Sequence, residues 1–296
     1  MFIERIGLVN GICEIGCDST GVAKMADTSA AAPAKRGRAG NGREKGGDAL
    51  MVMSVEKAFR VLEAFGGQRQ TMSLSQVAAA TDMDVSAAQR FTHTLTRLGY
   101  LRKDPETKRF ELTPKSLDLG YHFLRGNRLI ERAMPYLMHL SKETEETVNL
   151  TVLDDTHIIF VSRFMSRHML NTDVIIGTRM PAYCTAPGIA MLSCLPEAEA
   201  LAIIDRSDLK AHTAHTTFQR EELAAKLRLS AERGFATAFS EFYNGDASVA
   251  AAILDEHGRP EGAINIAVSY ARYTQEEVIE RFSSLVVAAA RAVSRN

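Results

Sequence analysis

The sequence lacks the features that cross-link a small protein, insert it in a membrane or export it. Its four cysteines are scattered along the chain, form no CxxC pair, and share no cluster with histidines at zinc-ligand spacing. We therefore expect no disulfide framework, no metal site, no cofactor, and a reducing, cytoplasmic compartment. No run of about 18 apolar residues occurs, and the apolar start MFIERIGLVNGIC is short and broken by charges. These absences predict neither a membrane span nor a signal peptide.

A large excess of charge of either sign is also missing. The chain has 35 Lys and Arg against 36 Asp and Glu, so its net charge is −1 and any basic surface must be local. Its 296 residues, 46% of them hydrophobic, fit a soluble globular protein of about two domains. That length supports a sizeable hydrophobic core without help from covalent links.

The first fifty residues carry little that could fold. Residues 19–50 are rich in Ala, Gly, Ser, Lys and Arg and have almost no large apolar side chains. Such a segment cannot bury enough surface to offset its ordering entropy, so we predict a disordered leader over residues 1–50. Periodic structure begins after it, which makes Met51 and Met53 candidate first residues of the folded chain.

Residues 51–113 follow the order helix, helix, turn, helix, hairpin. The segments are SVEKAFRVLEAFG, SLSQVAAAT, SAAQRFTHTLTRLGYL with Asp84 as N-cap, and the hairpin YLRKDPETKRFELT. This order predicts a winged helix-turn-helix, in which the third helix can enter a major groove. The residues expected to face inward are Val55, Ala58, Phe59, Leu62 and Phe65 in the first helix, Leu74, Val77 and Ala78 in the second, and Ala88, Phe91, Leu95 and Leu98 in the third.

The other side of the third helix has polar and basic side chains and no carboxylate. Groups that hydrogen-bond base edges are expected near the helix start, and cations farther along and on the hairpin are expected to meet phosphates. Residues 54–115 contain 10 Lys and Arg against 7 Asp and Glu, a local charge of +3. The predicted DNA contacts are Ser86, Gln89, Arg90, His93 and Arg97 on the helix, and Arg102, Lys108 and Arg109 on the hairpin. The alternative is that this face is merely solvated.

The rest of the chain predicts a second domain of the α+β class. Residues 114–147 form linker or dimerisation helices, starting with Thr113 as N-cap and Pro114, and kinked or restarted at Pro135. Residues 148–296 mix hairpins such as VNLTVLD and HIIFVSRF with helices, which indicates an antiparallel sheet flanked by helices. In NTDVIIGTRMPAYCTAPGIAMLSCLP we predict a strand, then a turn, then a helix from Gly188.

Several segments together resemble one family. SVEKAFRVLEAF, SLSQVAAATDMDVSAAQRFTHTLTRLGYL, KRFELTPKSLDLG, ETVNLTVLD, GTRMPAYCTAPGIAML and ERGFATAFSEFYNGDASVAAAILDEHG occur in the order typical of IclR-type bacterial transcriptional regulators. The resemblance implies a winged helix-turn-helix, a linker helix, and a GAF-like effector-binding domain. It also implies a homodimer or tetramer that binds double-stranded DNA at a pseudo-palindromic operator. The effector implied is a small aromatic or organic acid.

The resemblance also assigns residues. Ser86 and Arg90 stand at the family's Ser and Arg of the recognition helix, whereas Ala87 replaces its usual Thr. In the second domain, a loop before a helix faces the ligand, and Ile189, Ala238 and Leu254 depart from the usual residues. The predicted effector contacts are Tyr183, Cys184, Thr185, Ala186, Pro187, Glu241, Asp246, Ser248 and Asn265. Tyr183 and Cys184 have the alternative of being core residues.

An enzyme is the main competing class. A nucleophilic Cys184 would need a histidine base, and no histidine stands at a recognisable spacing from it. The sequence has no Walker loop, GxSxG or HExxH, and the two histidines of HTAHTT lack further metal ligands. We expect no catalytic activity. The alternative that stays open is a small-molecule-binding or catalytic α+β protein that does not act on DNA.

Overall fold

The computed structural model describes residues 50–66, 69–167 and 174–294. The chain divides into two units between Val52 and Met53, and every helix and strand that the structure describes belongs to the unit that begins at Met53. The predicted disordered leader lies outside the described residues, apart from Leu50. Among the helices described, none is long and apolar enough to cross a bilayer.

The first folded region is a three-helix unit with a small sheet. Its elements are α1 (Met53–Glu63), β1 (Thr71–Met72), α2 (Leu74–Ala80), α3 (Val85–Arg97), β2 (Leu101–Lys103) and β3 (Phe110–Leu112). The strands are antiparallel in the order β1-β3-β2. This arrangement confirms the predicted winged helix-turn-helix. It adds strand β1, which is too short to show a pattern in the sequence.

Local capping explains where these helices start and stop. Ser73 and Gln76 form a reciprocal capping box at the start of α2. Asp84 Oδ1 accepts from Ala87 N at 2.8 Å, as predicted for the N-cap of α3. Helix α3 ends before Gly99, whose φ of +84° a side chain would disfavour. The starts of α2 and α3 and the end of α3 are therefore set by local sequence.

The core of this region is smaller than the sequence pattern predicts. Val61, Phe65, Val77, Leu95 and Phe110 are buried together. Val55 and Phe59 were expected to face inward and are exposed, because α1 packs on α3 through the side that bears Val61. Leu98 is also exposed, since it is the C-cap of α3 and lies beyond the helical stripe.

Two helices connect this region to the second sheet. A 3₁₀ turn (Pro114–Ser116) leads into α4 (Leu117–Gly126), and α5 (Arg128–Thr144) follows. The break lies at Asn127, whose side chain accepts from Leu129 N and Ile130 N, and α5 runs on through Pro135. Thr113 is not a side-chain cap, because its hydroxyl donates to Gly99 O at 2.5 Å.

The second region contains a six-stranded antiparallel sheet. Its strands are β4 (Thr147–Asp154), β5 (His157–Phe164), β6 (Arg179–Pro181), β7 (Ala236–Phe239), β8 (Asp246–Leu254) and β9 (Pro260–Ser269). Their order is β6-β5-β4-β9-β8-β7. The helices are α6 (Ala186–Leu192), α7 (Glu197–Arg206), α8 (Arg220–Arg233) and α9 (Gln275–Val293). The predicted α+β class and antiparallel sheet are confirmed.

Each face of this sheet is covered by different helices. Helices α5 and α9 cover one face, with Leu137, Leu150, Ile266 and Phe282 in the shared core. Helices α6 and α8 pack toward the other face around Ile158, Ile189 and Leu223. The domain boundary predicted at residue 148 places α5 in the linker. Because α5 covers one face of the sheet, it is part of the second region's core.

A glycine controls how closely α6 approaches the turn before it. A Cβ on Gly188 would lie 2.2 Å from Ala182 O and 2.5 Å from Ala182 Cα, both backbone atoms. We expect Gly188→Ala to lower the free energy of unfolding by about 3 kcal/mol, because the core must spread to admit the methyl group. Thermal denaturation followed by circular dichroism measures the change.

Gly120→Ala is the matched control for this substitution. Gly120 lies in α4, and no atom is within 4 Å of its added Cβ. Since alanine favours a helix over glycine, we expect this variant to be stabilised by about 0.5–1 kcal/mol. Equal melting temperatures for the two variants would contradict the close contact at Gly188.

Candidate DNA-binding surface and effector pocket

Helix α3 presents a polar face to solvent. Its inward side carries Ala88, Thr92 and Leu95, which are buried. The opposite side carries the predicted DNA contacts, and all of them are exposed: Ser86, Gln89, Arg90, His93 and Arg97. The amphipathic pattern therefore predicted correctly that these five side chains face solvent.

The hydroxyl groups of α3 are mostly occupied by its own backbone. Thr92 Oγ1 donates to Ala88 O at 2.8 Å, and Thr94 Oγ1 donates to Arg90 O at 2.9 Å. Ala87, where the family's Thr is usual, is buried beside the start of α1. The lost hydroxyl therefore affects the contact between α1 and α3 more than the exposed face.

The cations of the β2–β3 hairpin are not equivalent. Arg109 Nη2 donates to Thr71 O at 2.7 Å and to Gln76 Oε1 at 3.0 Å, and its Nε donates to Thr71 Oγ1 at 2.9 Å. Arg102 pairs with Glu111, and Lys108 Nζ donates to Pro105 O at 2.6 Å in an exposed turn. Arg109 is thus a structural tie between the hairpin and α2, whereas Lys108 lies at the tip.

A cavity of about 200 Å³ lies on the face of the second sheet that α6 covers. Predicted effector residues from three parts of the chain line this cavity. They are Cys184 and Thr185 just before α6, Ala186 and Pro187 in its first turn, Glu241 after β7, and Asp246, Ser248 and Asn265 on β8 and β9. The structure therefore brings these separated residues together. Tyr183 is absent from the cavity wall.

Tyr183 is a core residue that ties two segments together. Its side chain is 1% exposed, and its hydroxyl donates to Lys210 O at 2.8 Å and accepts from Lys210 N at 3.2 Å. The ring therefore points away from the cavity, toward the segment that follows α7. The alternative of a core role is the one the geometry supports for Tyr183.

The segment before α6 is more regular than expected. Tyr183 and Cys184 lie in a 3₁₀ turn (Ala182–Cys184), and Ala186 and Pro187 form the first turn of α6. The predicted helix start at Gly188 is therefore two residues late, because Pro187 is well suited to the first helical turn. The strand predicted there is β6, and residues 171–173 of that segment lie outside the described residues.

The HTAHTT segment holds one wall of the cavity. Thr213 Oγ1 donates to Ser240 O at 2.5 Å, and Thr216 Oγ1 donates to Glu241 O at 2.6 Å. The Glu241 carboxylate pairs with Lys226 of α8 and accepts from Thr217 N at 3.3 Å. Within the described residues, no group of three possible metal ligands occurs. The threonines of this motif are therefore structural, and its histidines are not part of a metal site there.

Polar side chains cross the sheet beneath the cavity. Arg163 pairs in register with Asn149, and Asn149 pairs with Asn265 on the next strand. Arg163 Nη1 donates to Asn149 Oδ1 at 2.8 Å, and Asn265 Nδ2 donates to Ser248 Oγ at 2.9 Å. Asn265 Oδ1 is buried and has no protein hydrogen-bond partner among the described residues.

Arg163 reaches this face because strand β5 contains a bulge. Leu150 pairs with Ser162 and Thr151 pairs with Phe160, so Val161 is an extra residue on β5. The bulge reverses the alternation, and both Phe160 and Arg163 line the cavity.

Arg163 and several other residues that line the cavity were not predicted from the sequence. The others are Thr147, Asn149, Ile158, Phe160, Val174, Met180, Ala238, Phe242, Tyr243, Asn244 and Ala267. A charged residue near the end of an apolar strand was the available signal for Arg163. Strict alternation, however, places that side chain on the wrong face.

The ionisable groups of the cavity do not favour nucleophilic catalysis. Burial raises the pKa of the Cys184 thiol to about 12, so the thiolate that would attack a substrate is scarce at neutral pH. Burial also raises the pKa of Asp246 to about 6, opposed by the Arg163 cation. The cavity is suited to holding a small molecule whose charge interacts with this pair.

The fold and the cavity agree with what comparison with known proteins finds. The model of the IclR helix-turn-helix domain matches residues 54–105, and that of the bacterial transcriptional regulator IclR C-terminal domain matches residues 121–295. The chain therefore belongs to the IclR family of bacterial transcriptional regulators, as the resemblance predicted. It is a DNA-binding transcriptional regulator.

Individual relatives extend this result. The Pca regulon regulatory protein of Pseudomonas putida is 31% identical over 270 residues, covering 91% of this chain and 90% of that protein. A solved structure from Rhodococcus sp. RHA1 has a TM-score of 0.71 and 34% identity, covering 82% of this chain and 97% of that one. An IclR homologue from Microbacterium hydrocarbonoxydans, crystallised with 4-hydroxybenzoate, shares the fold at a TM-score of 0.66 and 19% identity, over 81% of this chain and 97% of that one. The family's proteins are regulators, which confirms that the chain is not an enzyme.

The Arg109 contacts lead to a test of hairpin rigidity. We expect Arg109→Ala to speed hydrogen exchange of the β3 amides about fivefold, because its bonds to Thr71 and Gln76 together contribute about 1 kcal/mol to holding the hairpin against β1 and α2. Exchange measured by mass spectrometry resolves this peptide. Arg102→Ala, which removes an exposed pair with Glu111, serves as the control and should exchange like the parent chain. The same acceleration in both variants would show that Arg109 is not the tie.

Proposed function

We propose that the chain binds a pseudo-palindromic operator as a homodimer, or as a tetramer made of two such dimers, and that a small organic acid in the cavity modulates this binding. The observation that carries the proposal is the exposed polar face of α3, held outward by the buried Ala88 and Leu95. Helices of a helix-turn-helix read bases with such a face. The effector-binding domain then comprises the six-stranded sheet and the helices that cover it, α5 included.

The roles on DNA follow from position along α3. Ser86, Gln89 and Arg90 lie near the start of the helix, where base edges are read, and an arginine there suits guanine. His93 and Arg97 lie farther along, and Arg102 and Lys108 lie on the hairpin, where phosphates are expected. Arg109 supports this hairpin through α2, which orients the cations that reach the backbone.

Exposed apolar side chains support self-association. Helix α4 exposes Leu117, Leu119, Tyr121 and Phe123, at fractions from 52% to 73%. Leu117 and Tyr121 share one side of α4 at i, i+4 spacing, and Leu119 and Phe123 share the opposite side. Paired apolar side chains exposed in this way are typical of protein interfaces. A second copy of the chain is the partner that a two-fold operator requires.

The cavity supports an acid as the effector. Its lining combines apolar and aromatic side chains with Thr185, Ser248, Asn265 and the Arg163 cation. The Microbacterium homologue was crystallised with an aromatic acid, 4-hydroxybenzoate. An aromatic or small organic acid is therefore the class we assign, with the predicted lining residues as its contacts.

Replacing Arg90 tests the DNA-binding face. We expect Arg90→Ala to weaken specific binding by about 1–3 kcal/mol, roughly 5- to 150-fold, because a base contact is lost. Gel-shift titration of the fragment upstream of the chain's own gene, with competitor DNA, measures the affinity. Arg206→Ala on α7 removes a cation from the second region and should leave the affinity unchanged. A folded parent chain that shifts no neighbouring promoter would favour the alternative of a small-molecule-binding protein that does not act on DNA.

Replacing Leu119 tests the partner surface. We expect Leu119→Glu to weaken the dimer at least tenfold, since a buried carboxylate without a partner is costly at an interface. Sedimentation velocity over a concentration series measures the dissociation constant. Leu229→Glu, at an exposed leucine of α8, is the matched control and should dissociate like the parent. A monomeric parent chain, or equal dissociation of both variants, would argue against α4 as the contact.

A further inference from the structure

Arg163 is the one basic side chain among the described residues that line the cavity. Its Nη1 donates to Oδ1 of Asn149, which is 1% exposed, so the guanidinium is held in place on the sheet. A guanidinium is planar and matches a carboxylate with two parallel hydrogen bonds. The cavity therefore has one fixed group suited to an acid.

The carboxylates of the cavity differ in their availability to this cation. The Glu241 carboxylate already pairs with the Lys226 ammonium of α8 and accepts a hydrogen bond from Thr217 N. Asp246 is the acid whose charge interacts with Arg163 across the cavity wall. A ligand carboxylate at Arg163 would thus share that cation with Asp246.

The opposite end of the polar row needs a hydrogen-bond donor. Asn265 Oδ1 is buried without a protein partner among the described residues, while its Nδ2 donates to Ser248 Oγ. A buried carbonyl oxygen left without a donor is costly, and a ligand hydroxyl would satisfy it. Two strand spacings of about 4.8 Å separate the Cα atoms of Asn265 and Arg163 by roughly 10 Å. The Arg163 guanidinium reaches over Asn149, so the two polar ends lie closer together than that.

The space between these ends fits one ring. Phe160, Phe242 and Tyr243 line it together with Ile158 and Met180. The cavity volume is about 200 Å³. An apolar cavity of about 150 Å³ takes up benzene, so a ring with two small substituents is the size that matches.

Resting on the proposed function, we propose that Arg163 binds the carboxylate of an aromatic acid in this cavity and that Asn265 accepts a hydrogen bond from a hydroxyl on the far side of the ring. Arg163 and Asn265 then determine specificity, one for the charge and one for the distal substituent. A ligand without a carboxylate loses the contact with Arg163, and a ligand without the distal hydroxyl loses the contact with Asn265.

Effector affinity should also depend on pH. Besides Arg163, the ionisable groups of this cavity are Asp246, Cys184, Tyr243 and the Glu241–Lys226 pair. The pKa of Asp246 is raised to about 6, and a bound carboxylate that shares Arg163 raises it further. The complex then binds a proton that the free chain lacks, so affinity for the acid rises as pH falls from 8 to 6. The neutral amide of the same ring shows no such rise.

The test compares three probes by calorimetry on the full chain. The probes are 4-hydroxybenzoate, 4-hydroxybenzamide and benzoate, titrated at pH 8 and pH 6. The parent chain should bind 4-hydroxybenzoate at least tenfold more tightly than either of the others. Arg163→Gln should bring the acid to the affinity of the amide and abolish the pH dependence, and Asn265→Leu should abolish the preference over benzoate. Arg179→Gln, an arginine on β6 paired with Asp154 and outside the cavity, is the matched control and should behave like the parent.

The outcomes separate this inference from the proposed function. If the parent and Arg163→Gln bind 4-hydroxybenzoate equally, Arg163 is not the anchor, although the acid effector stands. If the parent binds no acid while it still shifts DNA, the acid effector fails and this inference with it. Should Arg163→Gln not fold, Arg163→Lys decides: the proposal requires weaker binding of the acid with unchanged binding of the amide. Equal binding of the acid by Arg163→Lys and the parent overturns it.

Discussion

A row of buried polar side chains is the constraint on which the second region depends. Arg163, Asn149, Asn265 and Ser248 cross the central strands on one face of the sheet. Buried polar groups need partners, so an apolar helix cannot close directly over them. Helix α6 instead packs beside the row, and the cavity remains between them. The opposite face, lined by residues such as Leu150 and Ile266, is apolar and is covered by α5 and α9.

The DNA-binding face depends on a different arrangement, in which buried contacts fix the direction of exposed ones. Ala88 and Leu95 hold α3 in the core, and the Asp84 cap fixes its start. Arg109 anchors the hairpin to α2, the helix that packs on α3. In both regions a neighbouring side chain orients a residue of the candidate site: Arg109 holds the hairpin, and Asn149 holds Arg163.

Much of this was predictable, because periodicity and capping act locally. The helices of the first region, the N-cap at Asp84 and the outward face of α3 all follow from residue spacing. The exposure of Val55, Phe59 and Leu98 was not predictable, because an apolar stripe shows what could be buried and not what covers it. Most of the predicted effector residues, which the family motifs suggested, line the cavity. Tyr183 does not, because its buried hydroxyl hydrogen-bonds a neighbouring backbone instead.

The class of protein, the order of its elements and the solvent-facing side of α3 follow from the sequence. They depend on interactions within a few residues and on the family motifs. Which distant residues share the cavity depends on the tertiary fold, since β5, β8 and β9 lie in one sheet across long sequence separations and α6 packs on it. The tertiary fold also decided that Arg163 faces the cavity, because one extra residue at Val161 reverses the alternation of the strand.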